Sequence, residues 1–443
     1  PYLVGWLILS EKDGKSALSF IKMRTVKRDD IDAEGNPVER DSIIFYDVEK
    51  YFRPDLGTEP KGLMEHIGVE YDFGFSDAVY DEIVVMQGKD NWVELNGNTM
   101  EHEVYTKEEF GNDLPENFEP VEAAMTFSSK LIRDKNGFIY LHRKVLANDY
   151  HAGSYISVPL ANSTKFKGLY QAHKLYNRNY YVIPACTEDN SLVGIWDAGR
   201  YNEYSLDGTP SAITENSSRN DGNIVELTEN TDEKHFKQMS KNVIAMIPAT
   251  CGRDNRFDVT DSYIVPKWLA LMEEKGTYSM RYFGLEGDTS GGIVTVTDFK
   301  EVPVDARVFA AGYVDMAVFQ HKKYVVFASG KEIWYYPYGG STSNAVLLKK
   351  FDQNIVSISS HDVEEYTRDG DIYHNGHLGV ALENGDFFIY EVVEEDKVLD
   401  NITVNQLYPS PETEDKDNNN FGKIVDTLYK FGNASGVFTY TFQ

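Results

Sequence analysis

Residues 324–338 read YVVFASGKEIWYYPY: two short apolar and aromatic runs with Ser329-Gly330 between them. Val, Phe, Ile, Trp and Tyr suit a pleated, half-buried surface, and glycine gives a tight turn its backbone freedom. The stretch is therefore a β-hairpin. Residues 377–392, HLGVALENGDFFIYEV, repeat it with the turn at Asn384-Gly385, a strong two-residue hairpin signal. The question that decides the fold is how often this hairpin recurs.

It recurs seven times. The other copies are residues 5–23 (turn at Asp13-Gly14), 82–95 (Gly88 to Asn91), 130–145 (Asn136-Gly137), 180–196 (Glu188 to Asn190) and 268–285 (Lys275-Gly276). Further strands are expected after four of them, at 42–48, 154–160, 292–299 and 344–351, and before three, at 243–247, 308–314 and 355–359. A short strand, a hairpin and another strand make a four-stranded unit. Such units recurring at about 40–55 residues are the mark of β-propeller blades, which bury their faces by stacking around a channel. The expected fold is all-β: a single seven-bladed β-propeller over residues 1–443. Residues 422–430, GKIVDTLYK, are a lone strand without its own hairpin, and the first hairpin lacks an inner strand. The C-terminal strand is therefore expected to complete the first blade and remove two sheet edges. Two stacked β-sandwiches are the competing architecture. Only 232–239 and 48–52 suggest a helical turn.

Between the hairpins the sequence turns polar. Residues 27–41 hold hardly an apolar side chain and read as a loop, as do 207–223 and the acidic 409–420. Across 443 residues, 41% hydrophobic content supplies a large core, while the formal net charge of −28 disfavours nucleic acid and anionic lipid headgroups. Solubility is the simplest account of that charge. Two cysteines, Cys186 and Cys251, rule out a disulfide scaffold and read best as core thiols. No run reaches the length of a membrane-spanning helix. The chain opens on Pro1 and enters a strand at once, so a processed or cropped start is expected.

No catalytic motif appears: there is no nucleophile elbow, no phosphate-cradling loop with Lys and no His-Glu-x-x-His. No cofactor is indicated. Three constellations remain. His361, Asp362, Asp369, Asp371, His374 and His377 are metal-ligand types, yet a His-x-x-His on an extended strand points to opposite faces. Asp415 and Asp417 precede an Asn run that offers oxygens to Ca²⁺, but lack the glycine and closing Glu of a helical calcium loop. Both groups read better as solvated loops. The third, Tyr150, Tyr155, Tyr170, His173, Tyr176 and Arg178, combines rings with polar tips as sugar and peptide sites do. Blade packing is the plainer account of many of these rings.

The entry GWLILSEKDGKSALSFI, the hairpin LGVALENGDFFIYEV and the terminal GKIVDTLYK resemble the propeller region of the PKD-like family of Bacteroidetes surface lipoproteins. In that family, immunoglobulin-like PKD modules lie between a lipidated cysteine and a seven-bladed propeller. The resemblance implies a lipid-anchored protein on the outer face of the outer membrane. It implies as partners a SusC/SusD-like TonB-dependent transporter and its substrate-binding lipoprotein, taking up peptides or glycans. It carries over no catalytic residue. The expected function is thus non-enzymatic, in ligand capture or complex assembly. A propeller glycoside hydrolase or lyase is the alternative, although no carboxylate pair stands out among 71 acidic residues.

Overall fold

The computed structural model describes residues 2, 4–67, 81–125, 129–143, 151, 153–161, 164–171, 181–197, 222–249, 267–288, 292–319, 323–338, 344–361, 364–367, 370–373, 376–394, 401–410 and 418–430. The architecture is all-β, built of antiparallel sheets, with a single 3₁₀ turn at Thr106–Phe110 among the described residues. Residues 48–52 lie in a strand and 232–239 form bends, so neither is helical.

The first sheet runs β29-β1-β2-β3, with β1 at Gly5–Lys12, β2 at Lys15–Ile31, β3 at Pro37–Arg53 and β29 at Lys423–Lys430. The C-terminal strand is thus paired to the N-terminal one, from Gly5↔Lys430 to Glu11↔Lys423. The second sheet is β4 (Gly62–Ile67), β5 (Asp81–Met86), β6 (Val93–Asn96) and β7 (His102–Tyr105). The third holds β8 (Pro120–Met125), β9 (Ser129–Asp134) and β10 (Ile139–Arg143). An eight-stranded sheet combines β11 (Phe166–Leu169), β12 (Tyr181–Thr187), β13 (Leu192–Asp197) and β14 (Ile224–Thr228) with β15 (Asn242–Pro248), β16 (Lys267–Glu274), β17 (Thr277–Gly287) and β18 (Val294–Val304). Its halves join by a parallel pairing of β14 with β18. Then come β19 (Tyr313–Phe319), β20 (Tyr324–Ser329), β21 (Glu332–Pro337) and β22 (Val346–Lys350). In the last four-stranded sheet β23 (Ile355–His361) is followed in space by β26 (Gly376–Leu382), β27 (Phe387–Glu394) and β28 (Ile402–Tyr408), with a small hairpin, β24 (Glu364–Thr367) and β25 (Gly370–Tyr373), inserted after β23.

The central strands have two buried faces because their sheets lie between two others. In β20, Tyr324, Val326 and Ala328 join one cluster, and Val325 and Phe327 the other. In β1, Trp6 and Ile8 pack toward the last sheet while Leu7 and Leu9 pack toward the second. A side-chain period of two with both faces apolar explains the continuous hydrophobic runs. The rings of Tyr335 and Tyr336 are accordingly core. The 324–338 turn falls at Gly330-Lys331, because Ser329 still pairs with Glu332.

Several expectations change. The polar stretch 27–41 is no loop. β2 and β3 continue past the end of β1 as a two-stranded arm, paired out to Ile31↔Pro37. Ten residues beyond Ile21 at about 3.3 Å each extend it by about 30 Å. Its tip is an Asx turn in which Asp32 accepts from the backbone N–H groups of Glu34 and Asn36. The inner strand of the sixth copy is β19, not 308–314; Val308 and Phe309 are buried in the turn before it. Residues 154–160 form no ladder strand. They bond to β10 through Ile156 N–Leu141 O and Leu160 N–Ile139 O, and Pro159 has no N–H to continue the pattern.

The inner strands share a device. β8, β11, β15, β19, β23 and β29 each skip one residue of register, at Val121, Lys167, Ile244, Val314, Val356 and Val425. The bulge re-aims the next side chain. Glu122 then accepts from Leu169 N (2.8 Å), Asp315 from Ile358 N (2.9 Å), Ser357 from Thr427 N (3.1 Å) and Asp426 from Leu63 N (2.8 Å). Each acceptor clasps the inner strand of the following sheet. Gly168 and Ala245 hold the same place in β11 and β15 and have no acceptor. That is the part of the structure where β14 and β18 pair instead.

Asp315 and Asp426 lie near each other, with Ser357 Oγ donating to Asp426 at 3.1 Å. Burial, and for Asp315 also the neighbouring Asp426, raises their carboxyls to about 7 and about 6. Folded-state values above the ordinary 3.8 mean that their stabilising contribution is full below that pH and is lost as pH rises through about 6 to 7. Asp315→Asn, which keeps an acceptor for Ile358 N–H, should flatten the fall in stability across this window in urea titrations. Asp315→Ala should cost about 1–3 kcal/mol by leaving that N–H unsatisfied.

Candidate functional site

A strand interior that faces a neighbouring sheet should be apolar, yet several such positions here are charged. On β5, Glu82 and Val84 share the face toward the third sheet, and Val84 packs there. Glu94 stands opposite Val84 on β6. His66 pairs with Glu82 from the end of β4. From the other side, Lys130 and Ile132 share a face of β9, and His142 pairs with Lys130 from β10. Glu109 enters from the 3₁₀ turn and His151 from the segment after β10. His66, Glu82, Glu94, Lys130 and His142 are all at most 1% exposed, and Glu109 is 4% exposed.

Lys130 is the hub. Its Nζ lies 2.8 Å from Glu94 Oε2, 2.7 Å from Glu109 Oε1 and 2.9 Å from His151 Nδ1. His151 Nε2 reaches Glu82 Oε2 at 3.1 Å. Burial works against every charge here, and pairing decides the outcome. Lys130 is raised because Glu94 and Glu109 outweigh its desolvation. Glu94 is lowered, its desolvation outweighed by Lys130, His66 and His151. Desolvation raises Glu82 to about 7. His151 rises to about 10 despite burial, held by Glu109 and Glu82.

Two groups have ligand geometry for a cation: Glu94, Glu109 and His151; and His66, Glu82 and Glu94. Lys130 Nζ fills the middle of the first. In the second, the ammonium holds Glu94 by Oε2 and leaves Oε1 without a hydrogen bond among the described residues. His66 Nε2 and Glu94 Oε1 are 3.8 Å apart.

The predicted ligand residues are dispersed. Tyr155 is 2% exposed and stacks on Phe110 at 4.7 Å beside this network, so its ring is packing and offers no open surface. Tyr170 is half-buried against the core between the halves of the eight-stranded sheet, where burial pushes its phenol well up. Tyr150, His173, Tyr176, Arg178, Asp415 and Asp417 lie outside the described residues, as do Asp362, Asp369, His374 and Cys251. His361 and His377 are cross-strand partners, and His361 stacks on Tyr429 at 3.9 Å. Cys186 carries a buried free thiol.

No family model and no curated protein matches the chain. Among solved structures it is similar to a putative 6-phosphogluconolactonase from Bacteroides fragilis, at 11% identity over 96% of this chain and 97% of that one, with a TM-score of 0.46. It is also similar to Kluyveromyces lactis Hsv2p (9% identity, 92% and 97% covered, TM-score 0.36) and human WBSCR16 (8%, 88% and 88%, 0.38). At these scores none of the three carries an argument about what this chain does.

Two long links, 198–223 and 249–266, join the third to the fourth strand of one four-stranded unit and the first to the second strand of the next. In an antiparallel order the links from first to second and from third to fourth strand exit together. Here those links are 68–80, 170–180, 198–223, 249–266 and 362–375, and the arm of β2 and β3 projects at the same end of its sheet. At the opposite end the central hairpins close tightly, as at Asp13-Gly14 and Lys275-Gly276, all four residues at positive φ.

Removing the hub should expose the cost of the network. Lys130→Met leaves Glu94 and Glu109 buried without their cation, and should lower unfolding free energy by about 3–5 kcal/mol in urea denaturation.

Proposed function

We propose that the chain is a seven-bladed β-propeller, latched by its C-terminal strand, that acts as a non-enzymatic capture module. The observation that carries this reading is the elaboration at one end of the strands: the arm of β2 and β3 projects there, the links 198–223 and 249–266 leave from there, and loops on a rigid scaffold place binding residues. The cyclic order of the packing supports the ring. Each apolar cluster joins one four-stranded unit to the next, and Trp6 and Ile8 with Ala381 and Ile389 join the first to the last. The main charged cluster is buried between two sheets, with Glu94 and Glu109 on Lys130 and Glu82 on His151, an arrangement suited to holding structure and not to turning over a substrate. The likeness of GWLILSEKDGKSALSFI and GKIVDTLYK to PKD-like surface lipoproteins points to the outer membrane. There the partners are a TonB-dependent importer and its lipoprotein, with a peptide or glycan as cargo.

The arm gives the test. Replacing residues 25–44 by an Asn-Gly turn keeps the Arg24↔Phe45 pair and the sheet beneath it. The trimmed protein should keep its melting temperature within a few degrees and lose co-purification with the importer from native membranes. Failure of the untrimmed protein to bring down such a transporter overturns the partner assignment. Glycan turnover by the pure protein overturns the non-enzymatic reading.

A further inference from the structure

We propose that His66, Glu82 and Glu94 bind one divalent first-row cation of the zinc type. The three residues come from adjacent strands, β4, β5 and β6, so the sheet itself fixes their spacing. One ligand atom from each lies within 4.8 Å of the other two. All three are at most 2% exposed. Glu94 Oε1, fully buried, has no hydrogen-bond partner among the described residues. It faces His66 Nε2 across 3.8 Å, too far for a hydrogen bond. Ligands about 2.0–2.2 Å from a tetrahedral ion sit about 3.3–3.6 Å apart, so closing the gap takes a few tenths of an ångström.

The surroundings suit an ion. The other oxygen of Glu94 is held by Lys130 Nζ, and Glu82 Oε2 by His151 Nε2. Outer partners of this kind orient metal-binding carboxylates. Two carboxylates offer a 2+ ion its counter-charge, and Lys130 pairs with Glu109 beside them. One imidazole nitrogen with two carboxylate oxygens favours zinc-type ions over calcium, which takes oxygen ligands. The three ligands are buried and His151 beside them is 14% exposed, so the ion's role is to tie three strands together. This inference stands independently of the capture function.

The test uses the full chain, stripped with chelator and titrated with Co²⁺, whose visible absorption reports coordination directly. One equivalent should bind, with Zn²⁺ displacing it. His66→Ala and Glu82→Gln should abolish the band, and exposed His102→Ala should keep it. His151→Ala should weaken binding about 10–100-fold. Glu82→Gln is nearly isosteric and decides the matter if His66→Ala misfolds. Absence of Co²⁺ and Zn²⁺ uptake by the parent protein, or uptake unchanged in Glu82→Gln, overturns the proposal.

Discussion

A side-chain acceptor that reaches the backbone of the next sheet sets the terms for this structure. Hydrophobic packing between sheets is strong but has no direction, so it does not by itself fix how far one sheet slides against its neighbour. The clasp does. Asp426 accepts from Leu63 N–H and Asp315 from Ile358 N–H, each after a skipped residue that turns the carboxyl sideways. A buried hydrogen bond to a charged group has narrow geometry, and missing it is expensive. Where Gly168 removes the acceptor, another directional contact joins its unit to the next: the parallel pairing of Leu227 and Thr228 with Val294 and Thr295.

The sequence discloses the hairpins because their signals are local. Asn136-Gly137 and Lys275-Gly276 sit between apolar runs, and nothing distant is needed to read them. The arm is hidden for the opposite reason. Its residues, such as Arg28, Asp29, Asp30, Glu39 and Arg40, follow no in-and-out alternation, since a two-stranded ribbon projecting from the sheet has no core face to mark. Outer strands such as β14 and β28 are half-exposed and short of apolar pattern, and several inner strands are only four to six residues long.

The charged cluster is hard to recognise in the sequence. Glu82, Glu94 and Lys130 each look like ordinary surface charges in a hairpin. Their phase says otherwise: Glu82 is two residues from Val84 and Lys130 two from Ile132, so each charge stands on a core-facing position. That signal becomes meaningful only once the partner sheet is known, because Glu94 and Lys130 are 36 residues apart. The aromatic segment around Tyr155 misleads in the reverse sense. Rings in an irregular stretch suggest recognition, but Tyr155 fills the gap beside Phe110 that an incomplete fourth strand leaves.

The pairing of β1 with β29 has a consequence for the order of events on the ribosome. Gly5 to Glu11 are made well before their partners at Lys423 to Lys430, Glu11 and Lys423 being 412 residues apart. Until those partners are made β1 lacks its neighbour on that side, and Trp6 and Ile8 wait for the sheet that will cover them. The hairpin of β1 and β2 is therefore covered late, a burden that grows with the sequence separation of the contacts a fold requires.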